Sequence, residues 1–184
     1  MTDSSADLVA SPRFAALSSA RGRLAVFVVV TLAWIALDFA TKTQAAHYRV
    51  GELIAGPIAG LFNIRLVHNT GAAWGIFSGS TFALGLFSLA ICAVLVAYFL
   101  FSLDRTSLLE TAGLALIVGG GAGNAIDRFA QGYVVDFLEV TFIEFPVFNV
   151  ADIGVTCGFV LLALGMIRAF RAAGNRSDDG GEDA

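Results

Sequence analysis

The sequence predicts an all-α membrane protein, four transmembrane helices carrying a small extracytoplasmic amphipathic β-rich platform. Three observations lead there. Of the 184 residues, 57% are hydrophobic and 14% charged, with a mean hydropathy of +0.79, whereas a soluble domain carries about 25% charged residues. The charges that exist punctuate long apolar runs. Two segments on one side of those runs read as strand and turn. This composition excludes a soluble enzyme, a disordered chain and a disulfide-stapled secreted domain.

The first 23 residues are polar, rich in small residues, and carry Arg13, Arg21 and Arg23. They read as a cytoplasmic extension. The first span follows at 24–42, beginning LAVFVVVTLAWIAL. A cleavable signal peptide would lead into a small-residue cleavage site. Asp38 and Lys42 interrupt that pattern, so an uncleaved span fits better.

Residues 66–103 contain no Asp, Glu, Lys or Arg, a stretch longer than one span of about 20 residues. Its first part, HNTGAAWGIFSGS (68–80), reads as irregular backbone and its second, 81–103, as the second helix. Asp104 and Arg105 form a polar turn before a third helix over 107–125. A fourth covers 153–169, closed by Arg168 and Arg171. The acidic segment 172–184 reads as a disordered cytoplasmic tail.

Basic residues beside span ends favour the cytoplasm. Arg13, Arg21, Arg23, Arg105, Arg168, Arg171 and Arg176 fall on one side if both termini are cytoplasmic, against Arg49, Arg65 and Arg128 on the other. The outward segments 56–69 and 133–145 are too short and too polar to span. YVVDFLEVTFIEF (133–145) is dense in β-branched and aromatic residues at strand spacing. The platform is expected from these two segments.

The net charge of −4 owes much to Asp178, Asp179, Glu182 and Asp183 in the tail. No Lys/Arg cluster forms a nucleic-acid footprint, so no nucleic-acid partner is expected. Cys92 and Cys157 lie in apolar runs and read as buried thiols. His47 and His68 lack partners at ligand spacing, so no metal or other cofactor is expected. Trp34 and Trp74 read as interface anchors, and Glu139 and Glu144 as solvated acids.

Ionisable groups at membrane depth are costly and mark function. Asp38 with Lys42, Asn69, Asn124 with Asp127 and Arg128, Asp136, and Asn149 with Asp152 all come from segments that meet one side of the membrane. They are therefore able to converge. Asp136 is flanked by Val134, Val135 and Phe137, and Asp152 directly precedes the fourth helix. Two such carboxylates close together cannot easily both ionise. One protonated and one charged acid is the pairing that activates water. A helix N-cap is the competing reading for Asp152, and an edge-strand acid for Asp136.

Asp38 and Lys42, four residues apart, share a helix face and read as a structural ion pair. Asp127, after the small-residue run GGGAGN (119–124), is an alternative catalytic acid, with a bracing role beside Arg128 preferred. Asn69 and Asn149 suit either substrate orientation or the satisfaction of exposed backbone. A small transporter and a non-catalytic assembly factor are rival readings. The first expects acids near the bilayer midplane and repeat symmetry; these acids sit at one interface and the halves do not repeat.

The set DFATK (38–42), NTGAAWG (69–75), GGAGNAIDR (120–128), GYVVDF (132–137) and FPVFNVADIGVTCG (145–158) resembles the lipoprotein signal peptidase family, signal peptidase II. The motifs occur in the family's order and cover about residues 24–170. One departure is Ile153, where the family often has Ser. The resemblance implies an aspartic endopeptidase of the bacterial inner membrane, with residues 24–171 as its peptidase domain and the active site near the outer face. Its substrates would be diacylglyceryl-modified prolipoproteins, cut just before the lipidated cysteine, with membrane lipid and globomycin-type inhibitors as further partners. Asp136 and Asp152 would be the catalytic dyad. Asn69, Asn124, Asp127, Arg128 and Asn149 would support the dyad or bind substrate, and Asp38, Lys42 and Gly71 would be structural.

Overall fold

The computed structural model describes residues 19–71 and 79–179, with side chains through residue 172. Arg13, Trp74 and the side chain of Arg176 lie outside that description. Among the described residues, four helices and a three-stranded sheet occur in the order α1 (Ala20–Ala45), β1 (Leu53–Ile58), β2 (Phe62–Asn69), α2 (Thr81–Phe101), α3 (Leu108–Ala130), β3 (Val134–Val140) and α4 (Val150–Asp179). All four helices are long and apolar enough to cross a membrane. The antiparallel sheet, ordered β1-β2-β3, is the expected platform.

Local chemistry sets the helix ends. Ser19 caps α1 by accepting from the Gly22 N–H at 3.1 Å, so the helix begins inside the segment expected to be polar extension. Ser107 and Glu110 form a reciprocal capping box on α3, which satisfies two N–H groups otherwise left bare at a helix start. Helix α4 continues to Asp179, well into the segment 172–184 expected to be disordered. Composition argued against a helix nucleating there. A span already formed only has to add residues one hydrogen bond at a time, and no proline stops it.

Helix α3 is the centre of the bundle, packed against α1, α2 and α4. Its small residues allow this. A Cβ on Gly113 would lie 2.7 Å from the Gly158 carbonyl of α4, and one on Gly158 would lie 2.6 Å from the Gly113 carbonyl. Backbones this close exclude any side chain between them. The outer faces of the other helices are bare and apolar, as at Val29, Phe87, Val94 and Phe159. Phe27 and Phe99 stack at 4.2 Å in a core that α1 and α2 share with Leu114, Ala115 and Val118 of α3.

The sheet docks on the helix ends through Ala45, Leu66, Val135 and Phe137. Strand β3 does not end the sheet freely. Phe148 donates to the Leu138 carbonyl at 3.0 Å, and Leu138 donates back at 2.8 Å. This pairing ties the segment entering α4 to the strand that carries Asp136. Two sequence expectations change here. Trp34 is no interface anchor: its indole N–H donates to the Val150 carbonyl of α4 at 3.1 Å, and Gly154 makes room for the ring. Cys92 is buried as expected, but Cys157 is exposed, because it faces outward from α4 beside the site described next.

Candidate active site

Asp136 lies in the middle of β3, opposite Val67 of β2. Alternation along the strand turns it away from the flanking Val135 and Phe137, which join the apolar cluster. Its side chain is only 2% exposed. Oδ1 accepts from the Asn149 side-chain amide at 2.7 Å and Oδ2 from that of Asn69 at 2.8 Å. Burial first, and the charge of Asp152 second, push its pKa to about 7 from the ordinary 3.8; the two amides and the positive charge of Lys42 pull the other way.

Asp152 stands in the first turn of α4, and the helix cap proves to be Asn149. The Asn149 Oδ1 accepts from the Asp152 N–H at 3.0 Å, and the Asp152 Oδ2 accepts from the Asn149 N–H at 3.1 Å. This is the capping-box geometry with Asp at the third helical position. The competing N-cap reading of Asp152 is thus corrected: Asn149 is the cap, and one Asp152 oxygen closes the box from inside the first turn. The other, Oδ1, accepts from the Asn124 amide at 2.8 Å, and Asp152 lines the same cavity as Asp136.

That cavity, of about 450 Å³, is also bounded by Asn69, Asn124 and Arg128, with a largely apolar wall from Phe145 to Phe148 and from Ile153, Thr156 and Cys157. A second, more open hollow lies on the sheet side and shares Asp136 and Asn69 with it. Two acids on one cavity, one deeply buried and one half-buried with its charge stabilised by a helix N-terminus, are suited to hold one proton between them.

Behind the cavity lies a second cluster. Lys42 pairs with Asp38 at 2.7 Å and with Asp127 at 3.0 Å. Asp38 also accepts from the Ala151 N–H at 2.9 Å, so the pair of α1 clamps α4 as well as closing on itself. Asp127 accepts from the Val135 N–H at 3.1 Å and does not line the cavity, so it braces α3 against β3. Arg128 reaches the Gly71 carbonyl at 3.5 Å. Gly71 itself donates to Asn69 Oδ1 at 3.0 Å, an Asx turn that orients the Asn69 amide toward Asp136.

The sequence-derived set therefore separates into Asn69, Asn124, Arg128, Asp136 and Asp152 on the cavity, Asn149 beneath it, and Asp38, Lys42 and Asp127 behind. The contributions of Trp34 and Ala151, and of the apolar wall, were not foreseen. Only the neighbourhood of the wall residues to the FNVAD run hinted at them. Glu139, expected to be solvated, pairs with Arg65 at 3.1 Å on the sheet surface. The Asn63 amide, followed by Arg65, holds its carboxyl below the usual range.

The chain is similar to known proteins in sequence and in fold. The family model described as signal peptidase (SPase) II matches residues 30–168. A lipoprotein signal peptidase of Lactobacillus gasseri is 36% identical over 148 residues, covering 80% of this chain and 95% of that one. One from Nostoc punctiforme is 41% identical over 154 residues, covering 80% and 96%. A bacterial membrane enzyme solved by the in meso method superposes with a TM-score of 0.69 at 30% identity, over 77% of this chain and 87% of that one.

Proposed function

The chain belongs to the signal peptidase II family, and from that premise we propose that it is an aspartic endopeptidase. Its substrate would be a prolipoprotein already carrying a diacylglyceryl group, cut just before the lipidated cysteine. The observation that carries this reading is the placement of Asp136 and Asp152 on one cavity in unlike surroundings. The cavity wall contributed by α4 lies in a membrane span, which suits a substrate whose acyl chains stay in the bilayer.

The mechanism follows from the asymmetry. Asp152, at a helix N-terminus and hydrogen-bonded through both oxygens, is the charged member and accepts a proton from a water molecule. The water oxygen attacks the scissile carbonyl carbon, while Asp136 delivers its proton to the carbonyl oxygen. The resulting neutral diol collapses as Asp152 passes its new proton to the amide nitrogen. Asp136 recovers a proton from the diol, the C–N bond breaks, and both acids return to their starting states. Asn69 and Asn149 hold Asp136 in place throughout. We place the enzyme in the bacterial inner membrane, with both termini cytoplasmic and the cavity near the outer face. Globomycin-type inhibitors would compete for the same cavity.

A gel-shift assay in detergent tests the proposal, with a diacylglyceryl-modified prolipoprotein, its unlipidated precursor, and the folded variants Asp136→Asn and Asp152→Asn. Cleavage of the lipidated form alone, lost in both variants by roughly 100-fold or more, is expected. Full activity in folded Asp136→Asn would remove the dyad, and cleavage of the unlipidated form at the same rate would remove the lipid requirement.

A further inference from the structure

Lys42 forms its hydrogen bond and ion pairs with Asn124, Asp38 and Asp127 and with neither proposed catalytic acid, yet its position bears on how both are presented. An ammonium group has three N–H donors and no acceptor. All three are used: Asp38 Oδ2 at 2.7 Å, Asp127 Oδ2 at 3.0 Å and the side-chain oxygen of Asn124 at 2.9 Å. A primary amide in such a place has only one workable orientation. With its oxygen committed to Lys42, the NH₂ of Asn124 faces Asp152 Oδ1 at 2.8 Å. Turned over, it would set donor against donor at Lys42 and oxygen against oxygen at Asp152.

The constraint passes one step further. The same Asn124 oxygen accepts from the Asn149 NH₂ at 3.0 Å, and that NH₂ also donates to Asp136 Oδ1 at 2.7 Å and, over a longer 3.3 Å, to the Val135 carbonyl. The Asn149 oxygen is left to accept from the Asp152 N–H. Asn124 of α3, Asp136 of β3, and Asn149 and Asp152 at the start of α4 are thus aligned in one sense by a single obligate donor on α1. Lys42 and Asn149 are almost fully enclosed, so water does not compete for these bonds.

We propose that Lys42 is a positioning residue for catalysis: acting through Asn124 and Asn149, it orients the donors that face the two acids and so keeps Asp152 as base and Asp136 as acid. This rests on the dyad reading above and adds a division of labour within it. The ionisable groups around the relay are Asp38 of α1, Asp127 and Arg128 of α3, Asp136 of β3 and Asp152 of α4. Two carboxylates oppose one ammonium in the rear cluster. An ion pair needed only to anchor a helix end would require one acid and no amide.

The test measures kcat, KM and the pH profile, scaled to its own maximum, for folded Lys42→Met and Asn124→Leu. The substrate is the lipidated prolipoprotein used above. Scaling makes the profile insensitive to how much protein is folded. In Lys42→Met the nearby positive charge that lowers the Asp136 pKa is gone. In Asn124→Leu the donor to Asp152 is gone. Losing the charge favours protonated Asp136 and moves the alkaline limb to higher pH, while losing the donor favours protonated Asp152 and moves the acid limb to higher pH, with kcat reduced roughly 10-fold or more and KM little changed. A limb at the wild-type pH in a folded variant overturns the proposal, since a purely structural role lowers yield and melting temperature without moving it. If Lys42→Met fails to fold, Asn124→Leu decides, because there Lys42 keeps both of its acids. Asp136→Asn and Asp152→Asn run alongside. Activity in either would sink the dyad itself, whereas inactive dyad variants with unmoved limbs would sink only the role of Lys42.

Discussion

Asp136 has the environment of a carboxylic acid that keeps its proton near neutrality. It is enclosed, it faces the charge of Asp152, and the two amides that touch it offset only part of that cost. Two consequences follow at this residue. Catalysis by the proposed route needs Asp136 protonated, so kcat/KM is expected to fall as pH rises through about 7. A rate that climbs steadily from pH 6 to pH 9 would contradict the assignment. Stability follows the same sign. The folded state binds the Asp136 proton more tightly than the unfolded chain, whose ordinary carboxyl titrates near 3.8. The contribution is therefore complete below that value and is lost as pH rises through about 7. The melting temperature in detergent is expected to be lower at pH 7.5 than at pH 4.5 by an increment that disappears in Asp136→Asn. An increment unchanged in the variant would assign it to other groups.

The elements that deliver these residues are held by close backbone contact more than by side-chain bulk. A Cβ on Gly120 of α3 would strike the Ala151 carbonyl of α4, one residue before Asp152. Gly120→Ala is thus expected to push α4 away from α3, lowering stability by about 1–3 kcal/mol and cutting cleavage more than the loss of folded protein explains. Thermal melts and active-site titration of the same sample separate the two effects. Unchanged stability and activity would mean that the helices have slack at this level. The run GGGAGN announced close packing from composition, and the helix it lies on was evident from hydropathy. Which helix each glycine faces was not evident, because that depends on the rotation of α3 about its axis. Trp34 shows the same limit: an indole near a span end suits a headgroup interface equally well, and only the approach of α4 turns it inward.

At the level of the whole molecule, four alternating spans would bring the segment between α1 and α2 and the segment between α3 and α4, and with them the sheet and the cavity, to one side. From the arginine distribution we propose that this side faces outside the cell. In a variant lacking Cys92 and Cys157, a single cysteine replacing exposed Thr141 on the sheet side should react with a membrane-impermeant maleimide in intact spheroplasts. One replacing exposed Asp104, in the turn between α2 and α3, should react only after lysis. The reverse pattern would invert the topology.

Sequence by itself determined the four spans, the strand-forming platform and the list of polar residues on one side of the membrane. Hydropathy, charge bias and β-branching act over short stretches of chain, and so they are readable along it. It also sufficed for the family resemblance, since the five motifs are contiguous runs. Tertiary structure alone decided which of those polar groups touch. The bonds that build the site join residues as far apart as Asn124 and Asp152, or Asp38 and Ala151, separated by 28 and 113 positions. They depend on helix rotation and on strand register, and a one-residue slip of β3 would turn Asp136 to the opposite face. Asn149 as the cap of α4, Val135 and Lys42 as the groups that the already expected brace Asp127 holds, and Lys42 as the donor from which the amide chain takes its direction all belong to that second category. Each follows from hydrogen-bond valence in three dimensions, a quantity that spacing along a chain does not carry.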